Sequence, residues 1–386
     1  MRTSDIRRYH ANEIFHRIRI EPQISQKEII RRTGFDKSTV SSIVTRFDEL
    51  GLVVRTPTAA GNRPGRPAEG LSISPDSGLL VGVQVESEEL GFVAAGLDGR
   101  PLAHHRQSFN RKVKTLDRAV ADGIAAVTAA SGRTSPLLGV GISLPGLVST
   151  EGMLVHAPIL GWRDVPVLDL LSRIVSAPLY IGNDVKAAAM AEHMFGNCID
   201  LDDFIYLFSG SGVGGALFLD GEIYLGAHGL AGELGHMKVV PQGRLCSCGA
   251  AGCLSAYLSE PALAAEVEAR GGKTVRSFDT LLDRAEAGDP AVVSVFEQAG
   301  EILGAAVSNL VNIFNPPVVA LGGDMARASR YLGQSLERSL GRLAHPNMAA
   351  QTRVIFSEIA TDRPYLGGVA LALDGVTGLD ASSVIP

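Results

Sequence analysis

The 386-residue sequence predicts two parts, a small helix-turn-helix head and a large α/β body. Three observations carry that prediction. First, the charge is divided. Residues 1–70 hold 13 Lys and Arg against 8 Asp and Glu, while residues 71–386 hold 22 against 33, so a head of net +5 precedes a body of net −11. Second, the first 50 residues place apolar side chains at helical spacing around a glycine turn. Third, from about residue 76 apolar runs of strand length alternate with helical stretches, the pattern of an α/β fold. The expected boundary separates residues 1–75 from residues 76–386.

Composition excludes several classes. With 46% apolar and 20% charged residues, the chain is not a disordered one. It has no uninterrupted run of about 18 apolar residues, and the candidate from Asn309 to Leu321 is broken by Pro316 and Pro317, so no membrane span is expected. Asp5, Arg7, Arg8 and Glu13 occupy the place of a secretory h-region. Four cysteines in this length are no disulfide framework. The cytoplasm is the expected compartment.

In the head, Ile6, Tyr9, Ile14, Phe15 and Ile18 predict a first helix with these side chains inward. After Glu21-Pro22, Ser25 caps a short second helix with Ile29 and Ile30 inward, and Gly34 makes the turn. Asp36 or Ser38 caps a third helix that buries Val40, Ile43, Val44, Phe47 and Leu50. Its opposite face offers Lys37, Ser38, Thr39, Ser41, Ser42, Thr45 and Arg46, short hydrogen-bonding groups and two cations that suit a helix in a DNA major groove. Leu52–Val54 and Leu71–Ile73 read as the strands of a wing. Prolines hold its tip extended, and Arg63 and Arg66 project from it as a minor groove requires. A helical protein-interaction domain with a solvated basic face is the alternative.

In the body, Leu79–Val85, Leu137–Ile142, Pro178–Ile181, Phe204–Phe208 and Val318–Leu321 read as buried strands. Leu116–Ala130, Val185–Phe195 and Ala291–Phe314 read as helices. Ser209–Gly215 is glycine-rich, either a close backbone cradle for an anion or a tight hairpin. Asn183 and Asp184 stand at a strand end, where ligands of α/β proteins gather, and Asp184 reads as a hydroxyl acceptor, a general base or a helix cap. His236, Cys246, Cys248 and Cys253 fall within 18 residues, the donor set of a closed tetrahedral zinc site, with unrelated reduced thiols as the alternative. A closed site leaves no place for an activated water, so such a zinc is structural. Cys198 stands apart as a free thiol.

Together these features resemble the ROK family of repressors, open reading frames and sugar kinases, over essentially the whole chain. The resemblance rests on Glu233-Leu-Gly-His236, Cys246-Ser-Cys248-Gly-Ala-Ala-Gly-Cys253, Gly141–Val148, Gly161–Pro166, Asn183-Asp184 and Asn315–Gly323. It implies an actin-like, hexokinase-like body of two α/β lobes with a cleft between them and a zinc-binding loop near 236–253. It also implies that Asp184 takes the place of the base toward a sugar hydroxyl. Asn183, Glu233 and His236 fall on sugar-binding positions, and His236 also ligates the zinc.

Two departures separate the chain from the family's kinases. Their Asp-x-Gly-Gly-Thr phosphate loop corresponds to Gln84-Val-Glu-Ser-Glu88, whose carboxylates repel phosphate and whose lost glycines block close backbone approach. Phosphoryl transfer depends on positioning and charge neutralisation, so no catalytic residue is expected here. Ser255 replaces a Glu that contacts sugar in the kinases. The function implied is a transcriptional regulator, a repressor, of carbohydrate metabolism. It binds double-stranded operator DNA as a dimer or tetramer and senses a sugar or sugar derivative. The alternatives are an active ATP-dependent sugar kinase with a DNA-binding appendage, and a regulator controlled by a protein partner.

Overall fold

A computed structural model describes residues 3–57, 69–357, 359 and 365–378. Helices α1 (Thr3–Ile20), α2 (Gln26–Thr33) and α3 (Lys37–Glu49) form the head with the antiparallel strands β1 (Val53–Pro57) and β2 (Glu69–Ile73). The Ser25 side chain accepts the Glu28 N–H at the start of α2, and Gly34 ends that helix at φ 71°. Asp36, not Ser38, caps α3, accepting from Thr39 N–H. Ile14, Phe15, Ile18, Ile29, Val40, Ile43, Val44, Phe47, Leu52 and Leu71 are the buried core.

Three expected core positions are exposed. Ile6 and Tyr9 lie on the first turns of α1, ahead of Ala11, where its burial begins. Leu50 is the α3 C-cap, where the helical register has ended. The wing's stem is therefore in place, while its tip, with Arg63 and Arg66, lies outside the described residues.

The chain divides into two compact units, one of residues 1–184 with 365–386 and one of 185–364. The first unit includes the head. Its sheet has the order β10-β6-β3-β4-β5, built from β3 (Leu79–Val85), β4 (Glu89–Gly96), β5 (Pro101–Ser108), β6 (Leu137–Leu144) and β10 (Leu179–Asn183). Strands β3, β4 and β5 run as an antiparallel meander, and β6 and β10 add in parallel. A small sheet of β7 (Leu147–Val148), β8 (Leu154–Ala157) and β9 (Trp162–Val165) follows β6. Helix α4 (Leu116–Ala130) packs on one face through Leu116, Val120 and Val127.

The second unit repeats this plan. Strands β11 (Phe204–Ser209), β12 (Val213–Leu219) and β13 (Glu222–Ile223) form the meander, and β14 (Val318–Gly323) and β15 (Arg353–Phe356) add in parallel to give β13-β12-β11-β14-β15. Helix Pro290–Phe314 is apolar and long enough to cross a membrane by composition, although no membrane span was expected from the sequence. Its burial explains the composition: Val292, Phe296, Leu303, Val307 and Val311 are core residues of this unit.

Candidate functional site

On α3 the sequence-predicted DNA-facing residues share one side. Lys37, Ser38, Ser42, Thr45 and Arg46 are exposed, Thr39 and Ser41 half-buried, and Val40, Ile43, Val44 and Phe47 point inward. The Ser38 and Thr39 hydroxyls donate to the Asp36 carboxylate, which these bonds hold well below the usual carboxylate range. Arg46 pairs with Glu49 at 3.0 Å, while Ser42 and Lys37 stand at the surface.

The first unit also ties the head to its lobe. His16 Nε2 lies 3.2 Å from Thr377 Oγ1 at the end of helix Leu366–Thr377, and Arg19 Nε donates to His16 Nδ1 at 3.1 Å. The Arg19 side chain is buried, which lowers its pKa to about 10, with Asp98 opposing that shift.

Gln84–Glu88 ends β3 and turns into β4, the Glu86 N–H donating to Glu89 O at 3.0 Å. Glu86, Ser87, Glu88, Glu89, Arg106 and Gln107 line an open pocket of about 540 Å³. Burial pushes the Glu86 carboxyl up, and Glu89 adds to the shift. Arg106 lies 3.6 Å from Glu89 and stacks over Tyr365, whose hydroxyl donates to Glu89 at 3.2 Å. A polyphosphate placed here meets carboxylates whose neighbouring cation is already engaged.

In the same unit, Asn183 ends β10 and Asp184 opens helix Asp184–Phe195. Asn183 Nδ2 donates to Asp184 Oδ1 at 2.9 Å and to Gly146 O at 3.0 Å, which fixes the carboxylate's orientation.

The remaining predicted residues lie in the second unit. Ser209–Gly215 is a tight hairpin, Ser209 pairing with Val213. Gly210 N–H donates to Gly212 O, and Val213 N–H to the Ser255 hydroxyl at 3.3 Å. Those donors are occupied, and Ser255 holds the loop. Behind it, Ser209 Oγ accepts the Met325 N–H, and burial raises the Asp324 carboxyl to about 6 against the pull of Arg327. A carboxyl raised on folding stabilises fully below its unfolded pKa and loses that contribution as pH rises through the folded value. Asp324→Asn is therefore expected to be more stable than the parent at pH 8, by up to about 3 kcal/mol. The gap should halve near pH 5 and close below pH 4. Urea unfolding across that range tests it, and a gap that does not change with pH refutes it.

His236, Cys246, Cys248 and Cys253 come together, their ligand atoms all within 4.8 Å of one another. Cys246 Sγ lies 3.7 Å from His236 Nδ1, and Cys248 Sγ 3.7 Å from Cys253 Sγ. A tetrahedron with metal–sulfur bonds of about 2.3 Å has edges of about 3.8 Å, so the spacing fits one ion and is far beyond a disulfide's ~2.05 Å. All four cysteines are free thiols.

Two glycines permit this loop. A Cβ on Gly252 would sit 2.0 Å from Val240 O, and one on Gly235 would sit 1.8 Å from Val213 O. The Arg244 side chain lies over Tyr257 and pairs with Glu266, anchoring the loop on the helices that follow it. With Nδ1 turned to the sulfurs, His236 Nε2 faces Glu233, 3.8 Å from Oε2.

Two lysines went unnoticed in the sequence. Lys186 donates to Gly229 O at 2.7 Å; burial lowers its pKa and Glu233 opposes the shift. Lys238 lies against Cys253. The signal for Lys238 was its position, a cation two residues beyond His236.

A ROK family model matches residues 80–375, and a MarR family model matches residues 14–63. The xylose repressor of Bacillus spizizenii is 26% identical over 353 residues, 91% of each chain. A crystal structure of a ROK family transcriptional regulator, a homologue of the E. coli MLC protein, superposes with a TM-score of 0.81 at 26% identity, covering 95% of this chain and 96% of that one. A ROK family glucokinase from Streptomyces griseus, in complex with glucose and AMPPNP, aligns with a TM-score of 0.67 at 26% identity, covering 76% of this chain and 99% of that one. The regulator thus aligns with nearly the whole chain, and the kinase with about three quarters of it.

Proposed function

This chain belongs to the ROK family, and on that premise we propose that it is a DNA-binding transcriptional regulator, a repressor, of carbohydrate metabolism. Its kinase-like body senses a sugar or sugar derivative and transfers no phosphoryl group. The observation that carries this reading is the pairing of an intact helix-turn-helix, with its polar α3 face outward, with a carboxylate-lined pocket at Glu86–Glu89. The likeness to a xylose repressor over nine-tenths of both chains supports it.

The roles follow residue by residue. Residues 1–75 bind operator DNA in the cytoplasm, and residues 76–386 are the effector domain. Lys37 and Arg46, with Arg63 and Arg66 of the wing, meet phosphates and grooves. Ser42, Ser41, Thr39 and Ser38 face base edges, the last two after release from Asp36. In the first unit Asp184, oriented by Asn183, accepts a sugar hydroxyl; in the second unit Glu233 and His236 Nε2 bind sugar hydroxyls. His236 Nδ1, Cys246, Cys248 and Cys253 would hold a zinc ion, and ligation would fix the imidazole ring and so the aim of Nε2. Such a zinc would be structural, its four positions filled by protein. A homodimer reads a pseudo-palindromic operator. The effector shifts DNA affinity only by as much as its affinity differs between the two states of the protein.

Mobility shift at low salt on fragments of the protein's own upstream region tests the regulator, and failure to shift any fragment overturns it. Thermal shift against sugars and sugar phosphates tests the sensor. A ligand at 100 times its Kd stabilises by about 2.7 kcal/mol, a rise of several degrees, which Glu233→Ala should abolish. No shift with any sugar favours control by a protein partner, the reading that Ser255 supports by holding the Ser209 hairpin. ADP release with a sugar, abolished by Asp184→Asn, would overturn the loss of catalysis.

A further inference from the structure

We propose that Lys238 is the charge-compensating residue of the metal centre, an ammonium whose N–H···S bond to Cys253 retains the ion and shields that thiolate. The inference rests on the Cys₃His reading above. Lys238 Nζ lies 2.8 Å from Cys253 Sγ and 3.2 Å from His236 O, so one cation touches two of the four ligand residues. The backbone imposes this placement. Lys238 and Cys253 are directly opposed in an antiparallel bridge, flanked by the Val239 N–H to Gly252 O and Leu254 N–H to Met237 O bonds, both 2.9 Å. Opposed residues of such a pair carry their side chains on the same face, with Cβ atoms about 5 Å apart.

The chemistry follows from charge. A divalent ion with three thiolates and a neutral imidazole carries net −1, and one ammonium brings the centre to neutrality. Hydrogen bonding to a ligating sulfur withdraws electron density from it. This lowers its reactivity toward electrophiles. Cys253 is buried while Lys238 is exposed, so the contact sets an ammonium from the surface directly against a buried sulfur. Partners of this kind commonly contribute 10–100-fold to metal retention. For an exposed ammonium the low end, about tenfold, is expected.

The test compares the full-length parent with Lys238→Met and Lys238→Arg. Metal content by mass spectrometry of the parent decides the centre itself: a parent without stoichiometric zinc sinks the metal reading, whatever Lys238 does. Given a zinc-bound parent, zinc transfer to a chromogenic chelator should be about tenfold faster from Lys238→Met, and iodoacetamide should label Cys253 faster, while Lys238→Arg stays near the parent. Matching circular dichroism of the loaded proteins excludes misfolding, and Lys238→Gln serves in its place if the methionine variant does not fold. Release and labelling at parental rates in the neutral variant, or equally fast release from Lys238→Arg, overturns the proposal.

Discussion

Cys248→Ser is expected to yield a protein that binds no stoichiometric zinc and melts about 6–12 °C below the parent. The position makes the experiment clean. Cys246 and Cys253 are buried, so replacing either disturbs packing as well as ligation, whereas Cys248 is exposed and Ser preserves a polar group that can still accept from the Ala250 N–H. A large loss at this site is therefore a loss of ligation. Its cost spreads because Leu234, Leu254 and Leu258, which flank the ligands, are buried in the core of the second unit. Releasing His236 and Cys253 loosens the backbone that seats them. Structural zinc contributes folding free energy directly, but a body with its own apolar core does not unfold outright without it. A penalty on the order of 3 kcal/mol fits a lost ligand in such a body and gives the stated melting shift for a domain of this size. Elemental analysis and calorimetry on the same sample check both parts. Full zinc content in the variant would show that Cys248 is no ligand.

Much of this molecule was legible in advance because its signals are local. Helix caps depend on a few neighbouring residues, and Ser25, Gly34 and Asp36 act as their chemistry dictates. Helix Leu116–Ala130 has its expected ends because its apolar stripe is regular. The Cys₃His spacing is a local geometric statement, and the loop obeys it.

What escaped the sequence depends on remote neighbours. Strand β5, Pro101–Ser108, alternates exposed and half-buried side chains at a sheet edge and has no apolar run to announce it. The repeated sheet plan is a matter of strand pairing, and the two meanders share it without a visible repeat in sequence. Ser255 and Asp324 show the same limit. Ser255 reads as a lost ligand until Val213 is found on its hydroxyl, and no local signal announces that Asp324 is buried.

Replacing Lys37 and Arg46 together with alanine is expected to weaken DNA binding at every sequence, by about 10- to 100-fold per head near 0.15 M salt, and to flatten its salt dependence. Both side chains are exposed, on opposite flanks of the polar face of α3. The Arg46–Glu49 pair costs little to give up, since exposed ion pairs are worth about 0–1 kcal/mol, so the guanidinium is available to a phosphate. Each phosphate contact contributes about −0.9 to the slope of log K against log salt, so two lost contacts lower its magnitude by about 1.8 per head and by about 3.6 in a twofold dimer. Ser42→Ala separates positioning from reading. Ser42 lies on the same exposed side and carries no charge, so its loss should cost about 0.5–1.5 kcal/mol at one base position in each half-site and leave the salt slope unchanged. Titrations at several salt concentrations, on a specific and a scrambled duplex, separate the two effects. Arg63→Ala with Arg66→Ala should resemble the cationic pair if the wing lies on DNA. An unchanged slope after loss of Lys37 and Arg46 would place α3 away from the phosphates and return the head to the protein-interaction reading.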